Sequence, residues 1–106
     1  MKYFIHKDER RILYDFAYPS SKVLIANKDC ILGNGEYHKK KDELVMLVNG
    51  QGVIIIDGKK KQMKLYQLFE IKRRERHTFK LKEGSVLLEW ATSYYKPNDV
   101  YQDAKN

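Results

Sequence analysis

The chain has 106 residues, with 21 Lys or Arg against 14 Asp or Glu, so its formal charge at pH 7 is +7. This length predicts one domain with one modest core. Its longest apolar runs, residues 44–48 and 53–56, are far shorter than the roughly 20 residues of a membrane-spanning helix. The charged N-terminal segment lacks a signal-peptide core, and the single Cys30 excludes an internal disulfide, so we expect a cytoplasmic protein without membrane association.

Positive residues cluster in three places, which are residues 39–41, 59–61 and 72–76. Such clusters could bind nucleic acid through its phosphates, hold a small anionic substrate, or lie solvated at turns. Nucleic acid is disfavoured because the basic residues are spread over several turns and no nucleic-acid-binding motif accompanies them. Residues 59–61 follow a turn, and there we expect solvated side chains.

The predicted elements become more regular along the chain. Residues 10–16 could form a strand or a short helix, and residues 22–27 could form a strand. Further strands are predicted at residues 43–48, 52–57, 64–71, 77–82 and 85–92, separated by turns that contain Asn49 and Gly50, Asp57 and Gly58, or Glu83 and Gly84. Evenly spaced short strands with turn signals predict an all-β sandwich or barrel.

The alternation along these strands predicts which ionisable side chains point inward. His77 is in phase with the apolar residues of its strand, and Glu43 is in phase with those of the strand that it begins. Glu36 and His38 are two residues apart and therefore share a face. Ionisable side chains in an apolar interior cost a few kcal/mol unless they are paired, so these need each other, a metal or a ligand.

These residues and their spacing resemble those of a cupin. Glu36-x-His38 is followed by four residues and Glu43, and six more residues precede Gly50, which is the spacing of the first cupin motif. Glu36 stands where a His is usual. His77 corresponds to the His of the second motif, although Arg and Lys occupy the preceding turn where Pro and Gly are usual.

The resemblance covers about residues 22–95. It implies an all-β, single-domain cupin jelly-roll barrel, with an N-terminal strand segment at residues 1–21 and a C-terminal arm at residues 96–106. The sequence GSVLLEWATSYYKPNDVYQDAKN further resembles the tails of small cupins from sugar and surface-polysaccharide metabolism. These include cupins associated with sialic-acid-type synthases and sugar 3,4-ketoisomerases. A homodimer is also implied, since such cupins commonly pair by strand exchange or face packing.

Carried over by position, the resemblance implies a divalent metal held by Glu36, His38, Glu43 and His77. The ion would be Mn, Fe, Ni or Zn, and the two carboxylates favour Mn or Fe(II) over Cu. The alternative is a site without metal. Glu36, His38 and His77 would then act as acid–base residues or line a hydrogen-bonded pocket.

Four further side chains could contact a substrate. Lys40, Arg74 and Arg76 could bind an anionic group at the mouth of the barrel, although loop cations are more often solvated. Glu89 follows an apolar run and could line the pocket.

The function that these features favour is isomerisation or epimerisation of a sugar, a sugar phosphate or a nucleotide sugar through an enediolate, with or without a metal. The alternatives are a non-catalytic cupin that binds a sugar or another metabolite, and a metal-dependent dioxygenase. The expected partners are a carbohydrate-like small molecule and a second copy of the chain, rather than nucleic acid or a membrane.

Overall fold

The computed structural model describes residues 3–16, 21–92 and 97–102. This part of the chain contains ten β-strands and one short 3-10 helix. The strands are β1 Tyr3–Lys7, β2 Arg11–Phe16, β3 Ser21–Ala26, β4 Cys30–Glu36, β5 Glu43–Asn49, β6 Gly52–Ile56, β7 Lys59–Met63, β8 Leu68–Ile71, β9 His77–Leu81 and β10 Val86–Ala91, and the 3-10 helix is Pro97–Asp99. The all-β prediction is confirmed.

Two antiparallel sheets form the molecule. The six-stranded sheet has the order β1-β2-β3-β10-β5-β8, and the four-stranded sheet has the order β4-β9-β6-β7. Side chains alternate between the two faces of each sheet, and the inward faces form the core. The buried apolar residues are Leu13, Leu24, Ala26, Leu32, Val45, Leu47, Ile54, Met63, Phe69, Ile71, Phe79, Leu81 and Leu87.

The predicted strand at residues 64–71 is wrong over its first half. A strand occupies only Leu68–Ile71, because residues 64–67 turn with Tyr66 in the left-handed region at φ 66°. The Tyr66 N–H donates to the Leu47 carbonyl over 2.9 Å, which fixes this turn. Residues 59–61 are exposed as expected, but they lie in β7 rather than in a turn.

Besides β7, two further strands escaped the sequence analysis for different reasons. All five residues of β1 are exposed, so its sequence carries no alternating burial signal. In contrast, β4 is interrupted by a bulge at residues 33–35, and it ends at Glu36, so His38 lies beyond the strand rather than on it. The predicted segments 1–21 and 96–106 lie partly outside the described residues. Residues 93–96 lie entirely outside them. No helix in the described ranges is long and apolar enough to cross a membrane.

Candidate metal centre and ligand cavity

Three buried ionisable side chains meet between the two sheets. His38 comes from the loop after β4, Glu43 begins β5 and His77 begins β9. One ligand atom from each residue lies within 4.8 Å of the other two, and the two imidazole centroids are 5.2 Å apart. Three of the four ligands expected from the sequence are therefore brought together.

The geometry of His38 defines its tautomer. His38 Nδ1 lies 2.7 Å from the backbone carbonyl oxygen of Asp99. A carbonyl oxygen can only accept, so Nδ1 carries a proton, and whenever the ring is neutral its Nε2 lone pair points towards the cluster. His38 Nε2 lies 2.9 Å from Glu43 Oε1, which is close enough for an ion pair. Glu43 Oε1 nevertheless lacks a well-aligned hydrogen bond.

The charges of the cluster depend on this contact. Burial alone would lower the pKa of His38, but the adjacent Glu43 carboxylate outweighs that effect and raises it. Burial alone would raise the pKa of Glu43, but the neighbouring His38 and Lys41 hold it below its usual range. Burial lowers the pKa of His77, so this imidazole stays neutral at physiological pH.

The types of donor atom, and the spacing of one pair of them, fit a divalent metal. Glu43 Oε1 and His77 Nδ1 are buried and have no hydrogen-bond partner among the described residues, a state that folded proteins rarely leave without a ligand. Two ligands at right angles, each about 2.1 Å from a metal, are about 3 Å apart. The 2.9 Å between His38 Nε2 and Glu43 Oε1 matches this spacing. Two imidazoles and a carboxylate form a donor set that binds several first-row metals.

Glu36 lies beside this cluster rather than within it. It is opposite His77 in the β4–β9 ladder and lines the same cavity, and burial raises the pKa of its carboxyl. The bulge produces this pairing, because Leu32 is opposite Phe79 and two extra residues precede Glu36. Gly33 in the bulge has φ 84°, and a Cβ there would lie 3.0 Å from the His77 carbonyl oxygen.

A cavity of about 260 Å³ opens beside the cluster. Its ionisable lining residues are His6, Arg11, Asp15, Lys22, Glu36, His38, Glu43, His77 and Glu89. Its apolar lining residues are Leu13, Leu24, Leu32, Phe79 and Val100. A larger groove of about 480 Å³ runs past Cys30 and Val53, but the cluster does not line it, so we place the chemistry in the smaller cavity.

The predicted substrate contacts divide into two groups. Glu89 lines the cavity, and although the residue keeps some exposed surface, burial of its carboxyl and the charge of Glu43 raise its pKa to about 7. Lys40, Arg74 and Arg76 are exposed and do not line this cavity. The Arg74 backbone N–H instead donates to the His38 carbonyl over 2.6 Å.

Three buried ionisable residues of this region were missed by sequence reasoning, which are Asp15 in the cavity lining, Asp99 and Lys41. Asp99 is 2% exposed, and its carboxylate accepts hydrogen bonds from the backbone N–H groups of Lys39 and Lys40 over 3.0 and 3.2 Å. Lys41 is 3% exposed, and its Nζ lies 3.8 Å from Glu43 Oε2. Burial lowers the pKa of the Lys41 amine. The two-residue alternation of inward side chains could have identified Lys41, since Lys41 lies two residues before the inward Glu43.

That the protein does not bind nucleic acid remains a prediction, and two features of the structure are relevant to it. The basic residues 39–41 and 72–76 lie at the same end of the barrel, which concentrates positive charge there. However, the Tyr37 ring stacks on Tyr101 at 5.5 Å and carries the Arg76 guanidinium at 4.7 Å. These contacts occupy the ring faces on which a base would stack.

Comparisons with known proteins show the fold. No protein-family model matches the chain, and no curated protein matches it in sequence. The capsular polysaccharide assembling protein CapF from Staphylococcus aureus superposes with a TM-score of 0.80 at 21% identity, over 94% of this chain and 34% of CapF. The chain thus spans about a third of the length of CapF.

Two smaller proteins cover the chain more evenly. The nucleoside dehydratase Pac13, from Streptomyces, has a TM-score of 0.75 at 12% identity, over 93% of this chain and 82% of its own. KdgF from Halomonas sp. has a TM-score of 0.74 at 13% identity, over 92% of both chains. Together with the two-sheet architecture, these similarities show that the chain has the cupin jelly-roll fold.

Proposed function

We propose that the chain is a metal-assisted cupin that isomerises or epimerises a sugar through an enediolate. One observation carries the proposal: the His38–Glu43–His77 cluster opens into a cavity lined by further ionisable groups. The two orphaned ligand atoms support an ion at the cluster, which we propose to be Mn, Fe, Ni or Zn. When bound, such an ion polarises a sugar carbonyl and makes the neighbouring C–H bond more acidic.

The residues around the cluster divide the remaining work. Glu36 faces the cavity opposite His77, so its carboxylate can remove the proton beside the carbonyl and return it to the former carbonyl carbon. The proton of the neighbouring hydroxyl passes to the former carbonyl oxygen in the same isomerisation. Glu43 and the two imidazoles would hold the ion, and the carbonyl end of the sugar would be directed towards it. Without a metal, His38 and His77 would be the acid–base residues, which is the alternative that the sequence analysis left open.

The printed names of the similar structures are consistent with a carbohydrate-type ligand. CapF is a capsular polysaccharide assembling protein and Pac13 is a nucleoside dehydratase. Fold similarity at this identity carries no activity by itself, so the proposal depends on the site. A non-catalytic cupin that binds a sugar without turnover is the second candidate, and the experiment below separates the two.

We also propose a homodimer. The edge strand β1 exposes three large apolar side chains, with Tyr3 at 58%, Phe4 at 54% and Ile5 at 48% exposure. A strand with apolar residues on both faces and an open edge is a common site of association. Sedimentation equilibrium tests this, since Ile5→Lys should convert a dimer into a monomer.

Hydrogen exchange tests the function directly. The Zn(II)-loaded protein is incubated in D₂O with aldoses, ketoses and their phosphates, and mass spectrometry measures deuterium in the recovered sugar. We expect incorporation of one deuterium beside the carbonyl, a loss of roughly a hundredfold in rate for Glu36→Gln, and no change for Glu70→Gln on the exposed surface. A sugar that binds without exchange would exclude the isomerase and support the binding protein.

A further inference from the structure

A row of charged residues crosses the cavity-facing side of the six-stranded sheet. Asp15 of β2 is opposite Lys22 of β3, and Lys22 is opposite Glu89 of β10. Residues directly opposed in antiparallel strands project from the same face and are neighbours. All three line the cavity, and Asp15 is only 4% exposed. We call these three residues the charged row.

The neighbouring residues on the same face are apolar. Leu13 and Leu24 lie opposite each other in the next inward row, and both line the cavity. One side of the cavity therefore has an apolar strip, Leu13 and Leu24, next to the charged row. Along that row, hydrogen-bond acceptor, donor and acceptor groups follow one another. This combination matches a sugar, whose C–H groups are apolar and whose hydroxyls both donate and accept.

The charged row also reaches the cluster. Lys22 and Glu89 line the same cavity as His38, Glu43 and His77. A small ligand that contacts the row can therefore also contact the proposed metal ligands. Sites for drug-sized ligands usually enclose about 300–1,000 Å³. The volume of about 260 Å³ is below that range and suits a single sugar unit.

We propose that the charged row is a sugar-binding subsite, and that the substrate is a single sugar unit rather than a nucleotide sugar. The inference rests on the proposed function and narrows its substrate class. Asp15 and Glu89 accept hydrogen bonds from adjacent hydroxyls and Lys22 donates one, while Leu13 and Leu24 pack against the C–H face. The row thereby orients the carbonyl end of the sugar towards His38, Glu43 and His77.

Calorimetric titration of the Zn(II)-loaded protein tests the subsite. The probes are hexoses, hexuronates and hexose 6-phosphates, with UDP-glucose and UDP-glucuronic acid as the oversized ligands. We expect at least one single sugar to bind, and its UDP-linked form to bind at least tenfold more weakly. At pH 8.5, above the pKa of about 7 of Glu89, Glu89→Gln and Lys22→Met should each weaken sugar binding tenfold or more, because each removes a charge-assisted hydrogen bond.

Matched controls separate the subsite from general destabilisation. Glu70→Gln and Lys80→Met change exposed residues of the same types and should leave binding unchanged. If a row variant does not fold, the comparison of free and UDP-linked sugars on the unmodified protein still decides the size argument.

The outcomes distinguish this inference from the proposed function. Equal affinity for a UDP-linked sugar, or unchanged binding by the row variants, would overturn the subsite. If deuterium exchange then persisted, the proposed function would stand with a different substrate contact. A folded protein that neither binds nor exchanges any sugar would overturn both.

Discussion

His38 Nδ1 and the backbone carbonyl oxygen of Asp99 lie 2.7 Å apart, although the two residues are separated by 61 positions in the chain. The Asp99 carboxylate also accepts from the backbone N–H groups of Lys39 and Lys40. The C-terminal arm is fastened next to this contact, because Tyr101 and Tyr37 exchange backbone hydrogen bonds of 3.1 and 3.0 Å. The arm therefore orients a proposed metal ligand from outside the cluster.

Asp99→Ala should loosen both the arm and the cluster. The change leaves two part-buried N–H groups without their acceptor, so we expect a loss of about 2–3 kcal/mol in the free energy of unfolding. Zinc affinity should fall roughly ten- to a hundredfold, the usual effect of losing a residue that orients a ligand. Urea denaturation and competitive zinc titration measure the two effects.

Two variants control the Asp99 experiment. Asp99→Asn keeps one acceptor oxygen and should lie between wild type and Asp99→Ala. Asp29→Ala removes an exposed carboxylate that accepts from the Glu83 N–H over 2.9 Å, and it should leave zinc affinity unchanged. Equal zinc affinity in Asp99→Ala and wild type would show that the arm does not support His38.

Gly33→Ala should disturb the pairing of Glu36 with His77. Gly33 has φ 84°, and an added Cβ would lie 3.0 Å from the His77 carbonyl oxygen. Left-handed backbone costs about 1–2 kcal/mol for a residue with a Cβ, so we expect a total loss of about 2–3 kcal/mol. Gly35→Ala is the matched control, since its φ is 80° but no atom lies within 4 Å of the added Cβ. Equal losses in thermal or urea unfolding would contradict the contact.

Glu89 should make the metal-free protein less stable as the pH rises. Its pKa is raised from 4.5 to about 7 in the folded state. Between these values the folded protein keeps a proton that the unfolded chain has released, so the free energy of unfolding falls with rising pH. The penalty is fully developed above about pH 7 and amounts to at most about 3 kcal/mol.

Glu89→Gln isolates this effect from other titrating groups. The raised pKa of His38 also reduces stability as the pH rises past neutrality, and Glu43, Lys22, Lys41 and Arg11 act on the Glu89 carboxyl. The variant should gain stability relative to wild type from pH 4.5 to 7 in chelator-treated samples. A difference that is constant with pH, like that expected for Glu70→Gln, would show that Glu89 titrates normally.

Lys41→Met should strengthen metal binding. The buried ammonium lies 3.8 Å from Glu43 Oε2, so its positive charge opposes a divalent ion at the same carboxylate. Coulomb repulsion at this range in a protein interior predicts a gain of roughly tenfold or more in zinc affinity. The exposed neighbour provides the control, since Lys40→Met should change little. Weaker zinc binding by Lys41→Met would mean that Lys41 chiefly positions Glu43.

The strands that carry Glu43 and His77 were predictable because their signal is local. Alternation within residues 43–48 and 77–82 places both side chains inward, and burial patterns in β5 and β9 follow it. The same alternation could have been extended back to Lys41. However, Lys41 follows Lys39 and Lys40, and a run of three lysines suggests a solvated turn.

The rest of the site depends on contacts between distant parts of the chain. Neither the Asp99 contact nor the charged row has a sequence pattern, since each arises from pairing across strands or loops. The bulge at residues 33–35 shifts the register, so counting along the sequence could not place Glu36 opposite His77. The strand β1 could not be predicted from the sequence pattern, because its residues are exposed on both faces.

The metal content of the purified protein shows whether His38, Glu43 and His77 hold an ion. Protein made without a histidine tag is analysed by plasma mass spectrometry, beside His38→Ala combined with His77→Ala and beside His6→Ala as the control histidine. We expect near-stoichiometric Mn, Fe, Ni or Zn in wild type and in His6→Ala, and loss of the metal in the double variant. Absence of metal from folded wild type, even after each ion is added back, would contradict the metal centre and leave His38 and His77 as acid–base or pocket-lining residues.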